Sequence, residues 1–226
     1  MPLIIILAEC GLELIPKQIR SHPAVRQNIS QRNYSSQLLD NALHFSAMKN
    51  LKNIEKRGRP DITHACLLNA LGSSLNKSGN LILFIHTIHD LIFKFNPEIR
   101  IARNYNRFKG LMAKLMIDRS INVKVNNMPL ISQVDGNFED LISEYKNPEI
   151  ILLSNKGKLI KNYEQLFPKD FMRNIIVIIG GFQKSTFSKK IDAISNKFIS
   201  LSKYPLDAWV VISKIINFYE LSHNII

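Results

Sequence analysis

The sequence predicts an α/β protein whose central sheet is covered on both faces. Short apolar runs rich in isoleucine and leucine recur along the chain and alternate with stretches of helical periodicity. The runs EIILL and IIVII are almost continuously apolar, which is typical of strands buried on both faces. With 226 residues and a hydrophobic fraction of 46%, the chain is long enough to form a full core.

Six strands and four helices are predicted along the chain. The strands are Leu3–Ala8, Leu81–His86, Leu91–Phe95, Ile150–Ser154, Ile175–Ile179 and Phe198–Leu201. The helices are Gln37–Leu51, Ile62–Leu71, Arg103–Asp118 and Leu206–Leu221. The runs LILFIH and LIFKF, separated by TIHD, predict a β-hairpin. The polar stretches 21–36 and 126–137 are predicted loops.

The charge balance indicates a polyanionic partner. The chain has 30 lysines and arginines against 18 aspartates and glutamates, a formal charge of +12 and a pI near 9.7. Such an excess favours nucleic acid over an anionic membrane. The first apolar run lacks a basic start and is followed by Glu9 and Glu13, so we expect a buried strand and not a signal peptide. No run approaches the roughly 18 apolar residues that span a bilayer, and we expect a cytoplasmic protein without a membrane partner.

Cysteine and histidine spacing predicts no metal site. Cys10 and Cys66 form neither a CxxC motif nor a zinc-ligand spacing, and both lie in apolar contexts. We therefore expect two buried thiols, as in a reducing compartment. His86 and His89 flank the predicted hairpin turn without a third ligand nearby.

Three arginines lie three and four residues apart in NPEIRIARNYNRFKGLM. If this stretch is helical, Arg100, Arg103 and Arg107 project from nearly the same side. Like charges on one face repel each other unless an anion lies against them. Two interpretations remain open at this point: a solvated helix face or a clamp for phosphates.

The segment RGRPDITH, residues 57–64, has the features of a helix start. Pro60 suits the first helical turn, and Asp61 is placed to help satisfy the free backbone amides there. Arg57 and Arg59 are cations at the positive end of the helix dipole, and an anion or a carboxylate nearby would offset them. Asp61 is one candidate, because it can hold Arg59 in a bidentate pair.

The run IIVIIGGF is a predicted strand that ends in two glycines. Glycines at such a position allow close approach of a ligand or positive φ, although a plain tight turn is an alternative. Neither GxGxxG nor the phosphate-loop motif is present. The last predicted helix has a broad apolar stripe that suits either the core or a subunit interface. Its members are Leu206, Trp209, Val210, Ile212, Ser213, Ile216 and Tyr219.

Taken together and in order, several motifs carry a family resemblance. They are RGRPDITH, SSLNKSG, LFIHT, NPEIRIARNYNRFKGLM, LLSNKG, the GGF turn and SKYPLDAW. In this combination the chain resembles the small-subunit ribosomal RNA pseudouridine-N1 methyltransferases of archaea and eukaryotes, which are α/β-knot (SPOUT) enzymes. The similarity runs from Leu3 to about Glu220. The compact start, without a long eukaryotic-type extension, favours an archaeal member.

The resemblance implies a single α/β-knot domain over residues 1–226, with a deep C-terminal trefoil knot and an inserted β-hairpin/helix extension. A basic RNA-facing region would lie around 56–125 and a cofactor-binding knot around 150–222. The cofactor would be S-adenosylmethionine and the assembly a homodimer. By position, the cofactor contacts would be Leu153, Gly180, Ser185, Leu201, Ser202, Lys203, Tyr204, Pro205 and Leu206. Ser185 replaces a glycine that is usual in the family, which suits a backbone contact but not a residue that needs positive φ.

The resemblance also implies a reaction and the residues that serve it. The activity would be methylation of N1 of a pseudouridine in a hairpin loop of small-subunit rRNA, with a role in small-subunit biogenesis. Arg59, Arg100, Arg103 and Arg107 would face the RNA, and Asp61 would orient Arg59 for catalysis. Two alternatives remain open: a non-catalytic rRNA-binding assembly factor with the same fold, and a knot methyltransferase that acts on tRNA.

Overall fold

The computed structural model describes residues 2–28, 37–123, 127–168 and 173–225. Within these ranges one mixed sheet has the strand order β4-β5-β3-β2-β1-β7-β6-β8. In chain order the strands are β1 (Leu3–Cys10), β2 (Leu81–Thr87), β3 (Ile92–Phe95), β4 (Ser120–Asn122), β5 (Pro129–Val134), β6 (Glu149–Leu159), β7 (Ile175–Gly180) and β8 (Phe198–Ser200). The β2-β1-β7-β6-β8 part is parallel, and β3, β5 and β4 extend it with antiparallel pairing.

Helices cover both faces of this sheet. They are α1 (Pro23–Gln27), α2 (Asn41–Met48), α3 (Pro60–Gly72), α4 (Ser74–Lys77), α5 (Tyr105–Asp118), α6 (Phe138–Ser143), α7 (Lys189–Asp192) and α8 (Ala208–His223). The cluster on one face contains buried residues of α3, α5 and α8, and the cluster on the other contains residues of α6 and α7. The α/β class with a doubly covered sheet is therefore confirmed.

The first strand is the centre of the fold. All eight residues of β1 are buried, and its neighbours are β2 and β7. Leu3, Ile5 and Leu7 point to the α3/α5/α8 face, whereas Ile4, Ile6 and Ala8 point to the other. A strand of this kind is apolar at both alternating sets of positions, which explains the unbroken hydrophobic run from Leu3 to Ala8.

The predicted β-hairpin is confirmed, but the prediction of a loop over residues 126–137 is wrong. Strands β2 and β3 pair antiparallel, with Phe84 opposite Lys94. Residues 129–134 of the predicted 126–137 loop form β5, which pairs with both β3 and β4. In β5 only Ile131 is fully buried, so its sequence PLISQV lacks the apolar density of the central strands. The predicted 21–36 loop contains α1, and its residues 29–36 lie outside the described ranges.

Helices α2, α5 and α8 begin later than predicted, and polar side chains cap the first two. Asp40 caps α2 by accepting a bond from the Ala42 amide, so the helix begins at residue 41. Asn104 caps α5 by accepting from the Arg107 amide at 3.0 Å. Arg100 and Arg103 therefore precede the helix, and the prediction that they share a helix face with Arg107 is wrong.

The start of α3 and the stripe of α8 also differ in detail. Helix α3 begins at Pro60, two residues before the predicted Ile62, and Pro60 lies in the first turn as expected. Arg59 is the N-cap, and its side chain makes no capping bond. In α8, Ser213 is exposed and Ile215 is buried. Ile215 therefore belongs to the apolar stripe, and the prediction that Ser213 does is wrong. Ile212, Ile216 and Tyr219 are buried as predicted.

The two cysteines are placed as the sequence predicts. Cys10 and Cys66 are both buried and free, which confirms that prediction. Burial raises the pKa of the Cys10 thiol to about 12. Among the residues that the structure describes, no helix combines the length and apolar character needed to cross a bilayer.

Candidate functional site

A cleft of about 890 Å³ lies beside the carboxyl ends of β7 and β8 and the middle of β6. Its walls are formed by residues from three segments, 153–156, 179–187 and 198–211, together with Asp192. Crevices at the carboxyl ends of parallel strands are the usual ligand sites of α/β sheets. The cleft gathers most residues that the resemblance assigned to the cofactor, namely Leu153, Gly180, Ser185, Leu201, Tyr204, Pro205 and Leu206. Ser202 and Lys203 lie within the third segment but do not line the cleft.

The lining of the cleft suits a large ligand with an apolar body. Most of the lining residues are apolar or neutral, including Phe182, Phe198 and Ile199. Lys156 and Lys184 are the cations and Asp192 is the carboxylate among the described lining residues. The volume lies within the ordinary range of small-molecule sites. A nucleoside-type cofactor fits this combination of neutral backbone, apolar side chains and few charges.

The long strand β6 bends where it borders the cleft. Leu153 and Lys158 both pair with Ile199 of β8, so the residues between them form a bulge. A Cβ atom at Gly157 would lie 2.6 Å from the backbone nitrogen of Ile199. Glycine is therefore required here, because the β8 backbone passes too close for any side chain.

The double glycine after β7 is explained by packing. Neither Gly180 nor Gly181 has positive φ, which excludes one of the alternatives given for this turn. A Cβ at Gly180 would lie 2.7 Å from the Phe182 ring, and one at Gly181 would lie 3.1 Å from Cys10 Cα. Ser185 does not have positive φ either, so the serine at this position needs no change of loop conformation.

Arg59 and Asp61 form the predicted bidentate pair. Arg59 Nε donates to Asp61 Oδ1 at 2.8 Å, and Nη2 donates to Oδ2 at 2.6 Å. The hydrogen bond to Asp61 raises the pKa of the Arg59 guanidinium, although burial opposes it, and Asp207 at the start of α8 adds to the rise. The Arg59 side chain is only 13% exposed, whereas that of Asp61 is 44% exposed. Asp61 thus fixes the Arg59 guanidinium at the start of α3.

Arg57 has a different carboxylate partner. Its Nε and Nη2 donate to Glu13 at 2.7 and 2.5 Å, and His89 Nε2 lies 3.1 Å from the same carboxylate. Burial by itself would raise the pKa of Glu13, but the bonds from Arg57 and His89 outweigh it and lower that pKa. Both arginines are therefore ion-paired, but the partner of Arg57 is a buried carboxylate whereas the partner of Arg59 is 44% exposed.

The arginines near α5 form an exposed basic surface. Arg100, Arg103 and Arg107 are all exposed. None of the three makes an ion pair with an acidic side chain in the described part of the chain. The three guanidiniums are therefore accessible to an anionic partner. This accessibility is compatible with the interpretation as a clamp for phosphates.

A buried carboxylate that sequence reasoning missed fixes the start of α5. Asp40 accepts a bond from Tyr105 Oη at 3.1 Å and another from Lys109 Nζ at 2.9 Å. The Lys109 ammonium also lies 4.7 Å from the centre of the Tyr105 ring. Burial raises the pKa of Tyr105, and the negative charge of Asp40 raises it further. From the sequence, Asp40 could have been recognised only as a helix cap. Its partners Tyr105 and Lys109 are more than sixty residues away, so no local pattern indicates these contacts.

In the described ranges, no group of three or more histidine, cysteine, aspartate or glutamate side chains is placed to hold a metal ion. His86 instead accepts the Glu9 amide at Nδ1 and contacts Asp90 through Nε2 at 3.0 Å. Burial lowers the pKa of His86, which favours the neutral ring.

The fold and the cleft define an α/β protein with a cofactor-sized site at the carboxyl edge of its sheet and a basic surface nearby. The family model described as EMG1/NEP1 methyltransferase matches residues 5–220, and the chain belongs to this family. The ribosomal RNA small subunit methyltransferase Nep1 of Staphylothermus marinus is 42% identical over 227 residues, covering 100% of this chain and 98% of the relative. The protein of the same name from Thermococcus onnurineus is 39% identical, covering 96% of this chain and 97% of the relative.

A solved relative has the same architecture. The crystal structure of Archaeoglobus fulgidus Nep1 bound to S-adenosylhomocysteine matches with a TM-score of 0.86 and 34% sequence identity. The match covers 98% of this chain and 99% of that chain.

Proposed function

We propose that this protein transfers a methyl group from S-adenosylmethionine to small-subunit rRNA. The observation that carries the proposal is the 890 Å³ cleft, in a chain that matches an S-adenosylhomocysteine-bound relative over nearly its whole length. Leu153, Gly180, Ser185, Leu201 and Leu206 would hold the cofactor. When bound, the cofactor supplies a methyl group already activated on a sulfonium centre, so the protein mainly has to align the attacking atom.

We infer that the target is N1 of a pseudouridine in a hairpin loop. The N1–H group is weakly acidic, and a guanidinium nearby stabilises the negative charge that develops on the base as the proton leaves. Arg59 is suited to this task because Asp61 fixes both the position and the orientation of its planar fork. A base in a helix is shielded, whereas a base in a loop can turn out toward the site.

We also propose that the exposed arginines bind the RNA backbone. Arg100, Arg103 and Arg107 are accessible, and the Asp40–Tyr105–Lys109 contacts hold the start of α5 that carries Arg107. Backbone contacts of this kind position an RNA but do not read its sequence. The unstacked bases of the loop would supply the specificity.

We further infer one domain over residues 1–226, with the basic region around 56–125 and a cofactor-binding trefoil knot around 150–222. Family membership and the position of β6 between β7 and β8 support this inference. The hairpin β2–β3 and α5 would be the insertion into the knot fold. The two free cysteines agree with a cytoplasmic location.

A homodimer built on α8 is part of the same proposal. Trp209, Val210 and Phe218 remain half-buried in the single chain, and Tyr204 beside the cleft is 75% exposed. Apolar surface of this kind is often covered by a second subunit.

The test measures cofactor binding and transfer with one preparation of protein. Calorimetry with S-adenosylhomocysteine comes first, followed by transfer of a labelled methyl group to a hairpin that carries pseudouridine. The same hairpin with uridine and a tRNA transcript are the controls, and mass mapping locates the methyl group. We expect binding below millimolar and methylation of the pseudouridine hairpin alone. Binding of the hairpin without binding of the cofactor would favour an rRNA-binding assembly factor instead.

A further inference from the structure

The cofactor-side loop from Gly181 to Ser188 has no regular secondary structure, yet it forms a large part of one wall of the cleft. The last residues of β1 hold both of its ends. The Gly181 amide donates to the Ala8 carbonyl at 2.7 Å. The Ser188 amide donates to both carboxylate oxygens of Glu9, at 3.3 and 3.2 Å.

Glu9 is an unusual residue for the end of a strand. It has a φ of 54°, a left-handed conformation that is uncommon for any residue other than glycine. It is 7% exposed, and its own amide donates to His86 Nδ1 at 3.2 Å. Residues held in such conformations occur disproportionately at functional sites, where surrounding contacts maintain them.

Lys56 is the counter-ion of this buried carboxylate. Its Nζ donates to Glu9 Oε2 at 2.7 Å, and both side chains are nearly buried, at 12% and 10% exposure. The same ammonium lies 5.0 Å from the centre of the Phe182 ring. Phe182 in turn packs edge-on against Phe187, with ring centres 5.6 Å apart, and both rings line the cleft.

These contacts join the two functional regions of the molecule. Lys56 lies three residues before Arg59, in the segment that leads to the Arg59–Asp61 pair. The Lys56–Glu9 pair therefore touches the cofactor-side loop at two points, the Phe182 ring and the Ser188 amide.

We propose that Lys56 and Glu9 are positioning residues for the methyl donor: together they hold the 181–188 loop in the shape that forms the cofactor wall. This inference rests on the proposed function, because it requires S-adenosylmethionine in the cleft. Neither side chain needs to touch the cofactor, since the effect passes through Phe182 and the backbone of Ser188. The expected consequence is a change in cofactor affinity with little change in the chemical step.

The test compares Lys56→Met, Lys56→Arg and Glu9→Gln with wild-type protein and with a Lys52→Met control. Lys52 is an exposed lysine in the same segment, and its side chain makes no ion pair in the described residues. Calorimetry gives the Kd of S-adenosylhomocysteine, and steady-state transfer with varied S-adenosylmethionine gives KM and kcat. Thermal unfolding checks that each variant is folded.

Loss of the cation in Lys56→Met is expected to raise both Kd and KM by about five- to tenfold, the scale of a lost desolvated cation–π contact. We expect kcat at saturating cofactor to stay within about twofold, because the chemical step does not use Lys56. Lys56→Arg keeps a cation over the ring and should restore both values. Glu9→Gln keeps an acceptor for the Ser188 amide and nearly the same volume, but it leaves the Lys56 ammonium without its counter-ion, so we expect a lower Tm and an intermediate Kd.

The outcomes separate this inference from the function on which it rests. If wild-type protein binds S-adenosylhomocysteine and neither Lys56→Met nor Glu9→Gln changes Kd, the positioning role is refuted and the proposed function stands. A loss of kcat and stability with unchanged KM refutes it as well, because that pattern reports only a smaller folded fraction. If wild-type protein does not bind S-adenosylhomocysteine, both the function and this inference are refuted.

Discussion

Separate substitutions of Arg59 and Arg107 are expected to divide catalysis from RNA binding. Arg107 is exposed on the first turn of α5 and makes no ion pair within the described ranges. Removing one charged phosphate contact costs about 1.5–3 kcal/mol, so Arg107→Ala should raise the RNA Kd by about tenfold or more. The slope of log affinity against log salt should fall by about 0.7, the value for one single-strand phosphate.

Arg59→Ala is expected to lower the rate of methyl transfer strongly and the stability of the fold only slightly. It removes two charge-assisted bonds, but the Asp61 carboxylate that remains is 44% exposed and can be rehydrated. The loss of unfolding free energy is therefore about 1 kcal/mol, the scale of an exposed pair. Removing a fixed donor from developing charge typically lowers a rate by about 100-fold. Asp61→Asn should reproduce part of this loss, and Arg59→Lys should not rescue it, because an ammonium lacks the planar fork.

The assay is single-turnover methylation of a pseudouridine hairpin at saturating RNA and cofactor. We expect Arg107→Ala to reach nearly the wild-type rate under these conditions. Lys146→Ala is the control, since Lys146 is exposed just beyond α6, on the opposite face of the sheet from α5. If Arg59→Ala keeps the wild-type rate at saturating RNA, Arg59 is only another phosphate contact and the proposed division of roles is wrong.

Three further predictions follow from the same structure. Gly157→Ala forces a methyl group toward the Ile199 backbone, and about 2 kcal/mol of overpacking should lower Tm by about 4–8 °C and weaken S-adenosylhomocysteine binding. Gly110→Ala, in the interior of α5 with open space around it, should raise Tm instead, and an equal loss in both variants would contradict the steric explanation. RNA affinity should fall steeply with salt for a chain of charge +12, and a nearly flat dependence in filter-binding titrations would exclude the arginine surface as a phosphate clamp. Trp209→Glu should give a folded monomer in sedimentation if Trp209 lies in the interface and aggregation if it lies mainly in the core, whereas a wild-type monomer at micromolar concentration would rule out the dimer.

The sequence by itself determined the parts of the fold that depend on local patterns. Strands β1 and β7 were predicted because the runs Leu3–Ala8 and Ile175–Ile179 are apolar at every position, a pattern typical of a sheet covered on both faces. The Arg59–Asp61 pair was also predictable, since its partners are two residues apart at a helix start. Most of the cofactor residues that the family resemblance assigned line the cleft, although Ser202 and Lys203 do not.

Only the tertiary structure decided the features that depend on distant partners. Strand β5 has a weak apolar pattern because it lies toward the edge of the sheet, and its pairing with β3 compensates for that. The Lys56–Glu9 pair joins residues 47 positions apart, so no local spacing indicates it. Neither charge could be buried without the other, and only the folded chain brings them together. The start of α5 was decided by the Asn104 cap, which competes with helical continuation and leaves Arg100 and Arg103 outside the helix. Charge and periodicity can indicate that a chain has a basic surface, but the positions of its cations depend on caps and buried partners that form only as the chain folds.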